Sequence, residues 1–342
     1  MSEIKVAVVG SGGIFKLAHG PAWRQIPQAR VIAICDIVKE RAEQARAQFG
    51  IERAFSSQDE LLASDGVDLV DICTPHPSHA ELAVKALQAG KHVICEKPMA
   101  LEVEDAARMI RAAKETGRHL YIGHTRRFDR RWTAVKEQLA AGRIGEPVCA
   151  RWSERSWAGF GEDSWRWEPQ NGGVLMDLGV HVADLFAWFF ESEPTEVYTK
   201  ALSVRAEARA KGCRDFAVVQ VAFAGGQQGL MELSWAHPKE YAPYYSSLEI
   251  IGTKGKLNLA DKEAAPLTVI KGGLDVPRYS PLLSTFPESF VGELAHFIDG
   301  ISRNVAPRIT LEDAYRAVEV IAKAVESAES GQPVALKGVA SC

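Results

Sequence analysis

The chain of 342 residues predicts an α/β protein of two domains: a doubly wound parallel sheet, then an α/β domain with a large, open, mostly antiparallel sheet. Three observations carry this. Short apolar runs alternate with helical stretches through residues 1–124. Longer candidate strands then follow one another with few helices between them. A glycine-rich turn comes directly after the first strand. The expected boundary makes 1–124 a dinucleotide-binding domain and 125–342 a domain for substrate binding and oligomerisation, with the final helix a candidate to pack back on the first.

In order, Ile4–Val9, Val31–Cys35, Leu69–Cys73, His92–Cys95 and Leu120–Gly123 have the length of buried strands. Lys39–Gln48, His79–Ala89 and Val103–Thr116 read as helices, with Gly50, Gly90 and Gly117 just past their ends, where a left-handed cap belongs. Apolar strands joined through helices form a parallel sheet covered on both faces. Pro21 is expected to interrupt the first helix early. Asp129–Ala141 reads as helix, Pro147–Arg155 as strand and Gly173–Phe190 as helix. Thr195–Val204, Phe216–Phe223, Gln228–Trp235, Ser247–Ile251 and Lys256–Leu259 read as strands, with Ala-Gly-Gly after Phe223 marking a hairpin. Glu288–Ile301 and Leu311–Ser327 read as closing helices.

Composition narrows the class. A net charge of −4 gives no basic footprint for nucleic acid. With 46% hydrophobic and 25% charged residues, the chain is too apolar and too weakly charged for disorder. The first apolar stretch, Val6–Val9, is too short for a signal-peptide core. The most apolar long segment, 174–190, contains Asp177, His181 and Asp184, which are costly in lipid, so no membrane partner is expected. The six cysteines form no CxxC pair, which suits reduced thiols in the cytoplasm. No cluster has zinc-like or EF-hand spacing, so no metal is expected.

The turn after the first strand reads Gly10-Ser-Gly12-Gly13-Ile14-Phe15. Gly10 permits a tight turn, and Gly12 lets backbone approach a pyrophosphate at a helix N-terminus, with Gly13 and Ile14 beside it. Phe15 stands where the usual fingerprint has a third small residue. Asp36 ends the second strand, where a carboxylate accepts both ribose hydroxyls and repels a 2′-phosphate. The expected cofactor is therefore NAD rather than NADP, with Arg41, one turn into the next helix, a further cofactor-binding candidate that favours NADP. The bland alternative is that Asp36 caps that helix.

Two further segments carry a resemblance. The first reads Asp71-Ile-Cys-Thr74-Pro75-His76-Pro77-Ser78-His79, then Ala89-Gly-Lys-His-Val-Ile-Cys-Glu96-Lys97-Pro98. The second reads Gly172-Gly173-Val-Leu-Met-Asp177-Leu-Gly-Val-His181. Together with Phe290-Val-Gly-Glu-Leu-Ala-His-Phe-Ile-Asp-Gly, these resemble the Gfo/Idh/MocA family, named for glucose–fructose oxidoreductase, inositol dehydrogenase and rhizopine catabolism, over nearly the whole chain. The resemblance implies an N-terminal Rossmann domain, a C-terminal α/β domain whose open sheet makes homodimers or homotetramers, and Lys97, Asp177 and His181 as catalytic residues.

The residues support the same chemistry. Asp177 and His181 are four apart on one helix face. Gly172-Gly173 would let backbone come close to a ligand. Lys97 stands at a strand's carboxyl end, where open α/β sheets hold ligands, so the cleft between domains is the expected site. Imidazole, with an ordinary pKa near ~6.5, suits proton transfer, so His181 is the candidate acid–base group. Lys97 would stabilise the alkoxide-like oxygen, and the two roles are exchangeable. Asp177 would bind a neighbouring hydroxyl or orient the pair. Thr74, Pro75, His79 and Glu96 are expected near the cofactor; His79 serves equally well as a helix cap, and Glu96 as partner to a cation.

Five of the eight tryptophans, Trp152, Trp157, Trp165, Trp167 and Trp188, fall in one stretch. Indole faces pack on sugar C–H faces, or simply fill a core. Trp165 and Arg166, just before the Asp177 helix, are assigned to substrate. Arg127 is assigned there because the resembling position in the family often contacts substrate. Nearby arginines hint at an acidic sugar or a phosphate, or form a solvated face. No long leader segment encloses the cofactor, so NAD is expected to dissociate.

The leading expectation is NAD-dependent oxidation of a secondary alcohol on a sugar, sugar acid or cyclitol. Alternatives are a redox glycosidase of the same family, oxidation or reduction of a non-sugar diol or carbonyl compound, and an NAD(P)-binding regulator. The last is disfavoured because all three catalytic positions are retained.

Overall fold

A computed structural model describes residues 3–157, 159–237, 244–260, 267–270, 274–275 and 286–338. The chain forms two compact units, Met1–Asp129 with Ser284–Ala314, and Arg130–Leu283 with Tyr315–Cys342.

The first unit holds β1 (Ile4–Val9), α1 (Gly20–Trp23), β2 (Ala29–Cys35), α2 (Lys39–Phe49), β3 (Arg53–Phe55), α3 (Gln58–Ala63), β4 (Leu69–Ile72), α4 (His79–Gln88), β5 (His92–Glu96), α5 (Val103–Thr116) and β6 (Leu120–Gly123). All strand pairs are parallel and the order is β3-β2-β1-β4-β5-β6. The order reverses between β1 and β4, so the turn after β1 lies beside the turn after β4, at the switch point where such sheets bind ligands. Cys73 N donates to Val9 O at 2.7 Å across that point. β4 and β6 are buried along their whole length, as a sheet covered on both faces requires. Gly50, Gly90 and Gly117 take left-handed φ of 68°, 77° and 63° at the helix ends where the sequence placed them.

The second unit holds α6 (Arg130–Ala140), β7 (Pro147–Ser156), α7 (Val180–Phe190), β8 (Pro194–Leu202), α8 (Ala206–Lys211), β9 (Phe216–Phe223), β10 (Gln228–Ser234), β11 (Tyr244–Gly252), β12 (Gly255–Ala260), β13 (Leu267–Ile270) and β14 (Leu274–Asp275). After these come α9 (Phe286–Arg303), α10 (Leu311–Ser330) and β15 (Val334–Ala335). Among the described residues the sheet order is β14-β13-β12-β11-β7-β10-β9-β8-β15. Only the β10–β7 pair is parallel, so the sheet is mixed and mostly antiparallel. Burial on β9 alternates residue by residue, the mark of one covered face. α7 covers it: a Cβ on Gly229 of β10 would lie 2.5 Å from the Phe186 ring. The other face is polar, with Arg151 and Lys256 both on Glu249 at 3.0 and 2.9 Å, and Arg155 on Glu232 at 2.7 Å.

The units depart from the expected 124/125 boundary in two ways. α9 belongs to the first unit: Phe290, Leu294, Phe297 and Ile298 join the core formed by β1, β2 and the first helix. The final helix, α10, belongs to the second unit from Tyr315 onward. The segment Pro169–Phe190 is long and apolar enough to cross a membrane, but its most apolar window is 78% buried, as a core element is. The five described cysteines are free thiols; Cys342 lies outside the described residues.

Candidate active site

In the first unit the candidate residues begin with the turn after β1. Gly10 has φ +99°, and a Cβ there would lie 2.6 Å from the Cys73 carbonyl oxygen, so glycine is required by the fold itself. Gly12 and Gly13 differ. Neither has positive φ, and a Cβ on either would meet nothing within 4 Å. No protein packing asks for these two to be bare; they leave the backbone open to a ligand, at the start of a helix whose N–H groups favour negative charge. Ile14 beside them is half-buried.

Phe15 does not disturb this turn. Its ring is buried against Phe49 at 4.8 Å. The demand for a small residue moves on to Gly20, where a Cβ would lie 2.5 Å from Phe49. Pro21 does not interrupt the helix. A π-helical turn, Phe15–His19, runs directly into α1, and Pro21 sits in the first turn of α1, where a proline's missing N–H costs little.

Asp36 is held by three donors. Ser11 N and Ser11 Oγ donate to Oδ2 at 3.0 and 2.8 Å, and Val38 N donates to Oδ1 at 3.0 Å. The Val38 contact closes a turn just before α2, whose N-cap has no side-chain bond, so the capping role weighed from the sequence is not made, and a carboxylate's four lone-pair sites leave room for one more donor. Beside it Ile37 is 92% exposed, and Arg41 on α2 is exposed.

The turns after β4 and β5 carry Thr74, Pro75 and Lys97. Thr74 Oγ1 accepts from Ser78 Oγ at 2.7 Å, Pro75 is exposed and Lys97 is half-buried. His79 ties the two turns together, its ring nitrogens 2.7 Å from Pro98 O and 2.9 Å from Thr74 O. Burial pulls its pKa below the ordinary 6.5, so the ring is neutral and donates to one carbonyl at a time. Glu96 is buried with 6% exposure. Its Oε2 accepts from Lys97 N at 3.1 Å, and its Oε1 lies 2.9 Å from His19 Nε2, so its partner is a cation-forming ring inside the protein.

Arg127, assigned to substrate from the sequence, is 3% exposed. Its Nη1 donates to Arg308 O and Asp313 Oδ2, both at 3.1 Å. Burial would raise the Asp313 pKa, but the Arg127 charge outweighs it and holds the carboxyl below the usual range. These are the contacts of a structural tie.

The remaining candidates, Asp177 and His181, belong to the second unit. Asp177 falls in a second π-helical turn, Leu175–Gly179, which leads into α7, and His181 follows in the first turn of α7. Single π turns recur at functional sites. Gly172 and Gly173 have φ of +76° and +54°. A Cβ on Gly173 would lie 2.4 Å from Arg214 O, and one on Gly172 2.6 Å from Met176 Cβ. The close approach expected for a ligand is therefore made by the protein's own backbone. Arg166 Nε lies 3.7 Å from Asp177 Oδ2, and the guanidinium sits 4.6 Å from the Trp165 ring and 5.4 Å from Phe160. Trp165 is half-buried, whereas Trp152 and Trp167 are core residues, with Trp167 edge-on to Trp235.

The family comparisons agree with this geometry. Residues 4–124 match the model described as the oxidoreductase family with an NAD-binding Rossmann fold, and residues 132–258 match the GFO/IDH/MocA C-terminal domain. The chain is 30% identical to myo-inositol 2-dehydrogenase of Thermotoga maritima, over 98% of this chain and 99% of the relative. The chain belongs to this family. It is also 28% identical to the scyllo-inositol 2-dehydrogenase (NAD(+)) of Bacillus subtilis, over 98% of this chain and 96% of that one. A solved oxidoreductase of Agrobacterium radiobacter, in complex with NAD+, L-tartaric acid and magnesium, superposes with TM-score 0.87 at 27% identity, covering 98% of each chain.

The chain is thus an oxidoreductase of the Gfo/Idh/MocA family acting on CH–OH groups, and NAD is its cofactor. Its residues fit that cofactor: Gly12 and Gly13 are open, the helix after them presents its N-terminus, and Asp36 is fixed with acceptor capacity to spare.

Sequence reasoning missed His19 and Asp71. His19 Nδ1 lies 2.9 Å from Asp71 Oδ2, and both are buried. Donor atoms of His19, Asp71 and Cys73 lie within 4.8 Å of one another, a constellation that no spacing along the chain reveals. The available signal was a histidine in a helix otherwise filled with core residues, and an aspartate inside a buried strand.

Proposed function

We propose that the protein oxidises a secondary alcohol of a neutral polyol, a cyclitol or a sugar, with NAD. The observation that carries the substrate class is the Arg166–Asp177 pair. Beside the Asp177–His181 helix the nearby cation is already matched by a carboxylate, as Arg127 is by Asp313 and Arg155 by Glu232. A charge-balanced surface rich in donors and acceptors suits hydroxyls better than a carboxylate or phosphate. The half-buried Trp165 face suits a ring's C–H face. The names of relatives, myo-inositol and scyllo-inositol 2-dehydrogenases, support the same class.

When bound, the nicotinamide accepts the hydride from the carbinol carbon. The hydroxyl proton leaves to His181 or Lys97, and the other of the two holds the oxygen as it becomes a carbonyl. Asp177 binds the neighbouring hydroxyl. The alcohol thus becomes a ketone, NAD+ becomes NADH, and one proton is released. NAD is preferred over NADP because the fixed Asp36 carboxylate repels a 2′-phosphate. We assign association between copies of the chain to the open face of the nine-stranded sheet, where Val148 and Val218 are exposed among the ion pairs.

The test is NADH formation with a panel of inositols, neutral sugars, uronates and glycosides, with NADP in parallel. NADH from a neutral polyol, with uronates and NADP poorer, is expected. Preference for a uronate overturns the charge argument. Aglycone release without net NADH identifies a redox glycosidase instead.

A further inference from the structure

His19 ends the π turn that follows the glycine loop, and it is fully buried. Its two ring nitrogens face two carboxylates on two strands, Asp71 Oδ2 on β4 and Glu96 Oε1 at the end of β5, each at 2.9 Å. Asp71 Oδ2 also accepts the Trp23 indole N–H at 2.7 Å. Glu96 holds the Lys97 amide with its other oxygen. One imidazole therefore spans the helix of the dinucleotide loop and the ends of two central strands.

Geometry constrains its charge. A neutral imidazole has one N–H, so between two carboxylates its bare nitrogen would face an oxygen lone pair. Both contacts become hydrogen bonds when the ring carries two protons, and charge-assisted bonds are the strong ones. The titratable groups facing this cluster are Asp71, Glu96, Cys73, Cys95 on β5, whose thiol burial pushes well above its usual value, and Glu293 from α9, and the Phe290 ring closes one side at 5.4 Å. Burial, with the Glu96 charge adding to it, pushes the Glu293 carboxyl well above the usual range, and Thr125 Oγ1 donates to Glu293 Oε2 at 2.8 Å. Burial pushes the Cys73 thiol to about 12, so it carries no charge near neutrality. Burial is the largest single effect and opposes charge on His19 too, yet the charge and hydrogen bond of Asp71, together with the contributions of Cys73, outweigh it and raise the ring's pKa well above 6.5.

We propose that His19 is a positioning residue: a doubly donating imidazolium that fixes the Glu96 carboxylate, and through it the Lys97 backbone, relative to the cofactor loop. This rests on the reading of Lys97 as a group that handles the substrate oxygen. The cost of misplacing such a group by an ångström is about a hundredfold in rate.

Two measurements test it. The first uses the wild-type protein with 15N-labelled histidine, the His19 signals assigned by their loss in His19→Gln. Both ring nitrogens should report N–H from pH 6 to pH 8, through roughly the range where a free imidazole titrates. A bare nitrogen at pH 8 overturns the imidazolium. The second is the kinetics of His19→Gln and Glu96→Gln. The expected result is a kcat lower by about a hundredfold with polyol KM and NADH affinity within about threefold of wild type. Unchanged kcat overturns the positioning role, and so does loss of kcat only in step with NADH affinity and Tm. The pH dependence of stability follows from the same charge. A raised folded pKa means that the His19 contribution is complete below 6.5 and lost as pH rises through the raised value. Wild-type Tm should therefore fall further toward alkaline pH than that of His19→Gln. If wild type forms no NADH from any polyol, the dehydrogenase reading fails, while the nitrogen shifts still decide the state of His19.

Discussion

Two helices of this molecule open in the same way and for opposite reasons. Each follows a pair of adjacent glycines, Gly12-Gly13 and Gly172-Gly173, and each contains a single π turn, Phe15–His19 and Leu175–Gly179. At Gly12 and Gly13 a side chain would meet nothing. At Gly173 it would strike the Arg214 carbonyl, and at Gly172 the Met176 side chain. The first pair is bare for a ligand; the second is bare for the protein's own chain. A glycine pair before a helix is therefore not one signal. What distinguishes the two readings is φ and the atom that a Cβ would touch, and neither is written in the sequence.

Substitution separates the two pairs. Gly173→Ala combines φ +54° with a 2.4 Å approach to a backbone oxygen and should destabilise the fold by about 2–4 kcal/mol, read as a fall in Tm or denaturant midpoint. Gly12→Ala should leave Tm within about 2 °C of wild type and weaken NAD binding by about tenfold or more, because the added methyl stands where the phosphates approach. Equal loss of stability in both variants would erase the contrast. A smaller effect is expected at Asp36. Asp36→Asn keeps the shape but removes the charge; NAD binding should weaken by about threefold to tenfold, and the preference over NADP should shrink. An unchanged NAD-to-NADP ratio would reduce Asp36 to the turn-forming residue that its Val38 bond makes it.

The fold was legible where local pattern and burial agree. β1, β6, α5 and β9 match the sequence reading to the residue, because each is an uninterrupted apolar run or a regular amphipathic period bounded by turn residues. β3 was not legible: Arg53–Phe55 is short and half-buried, and pairing with β2 alone makes it a strand. α9 was read as a helix but placed with the other unit, since its apolar face is satisfied by residues far earlier in the chain, from β1 to Phe128. In the candidate site, the placement of Asp36 just after β2, and of Asp177 and His181 four residues apart at the start of one helix, was readable from local spacing. Arg127 and Glu96 could not, because their ion partners, Asp313 and His19, are distant in sequence. A charged residue's partner decides whether it meets substrate or holds the fold, and here only tertiary structure supplied it.

We propose a division of labour in which the first unit holds NAD and proton handling falls to Lys97, Asp177 and His181. The most direct test is to titrate NADH into Lys97→Met and His181→Ala and to follow NADH formation from the best polyol in a single turnover. The account predicts NADH affinity within about threefold of wild type and hydride transfer slower by about 10²–10⁴-fold. Wild-type turnover in either variant, or loss of NADH binding in His181→Ala, would contradict it.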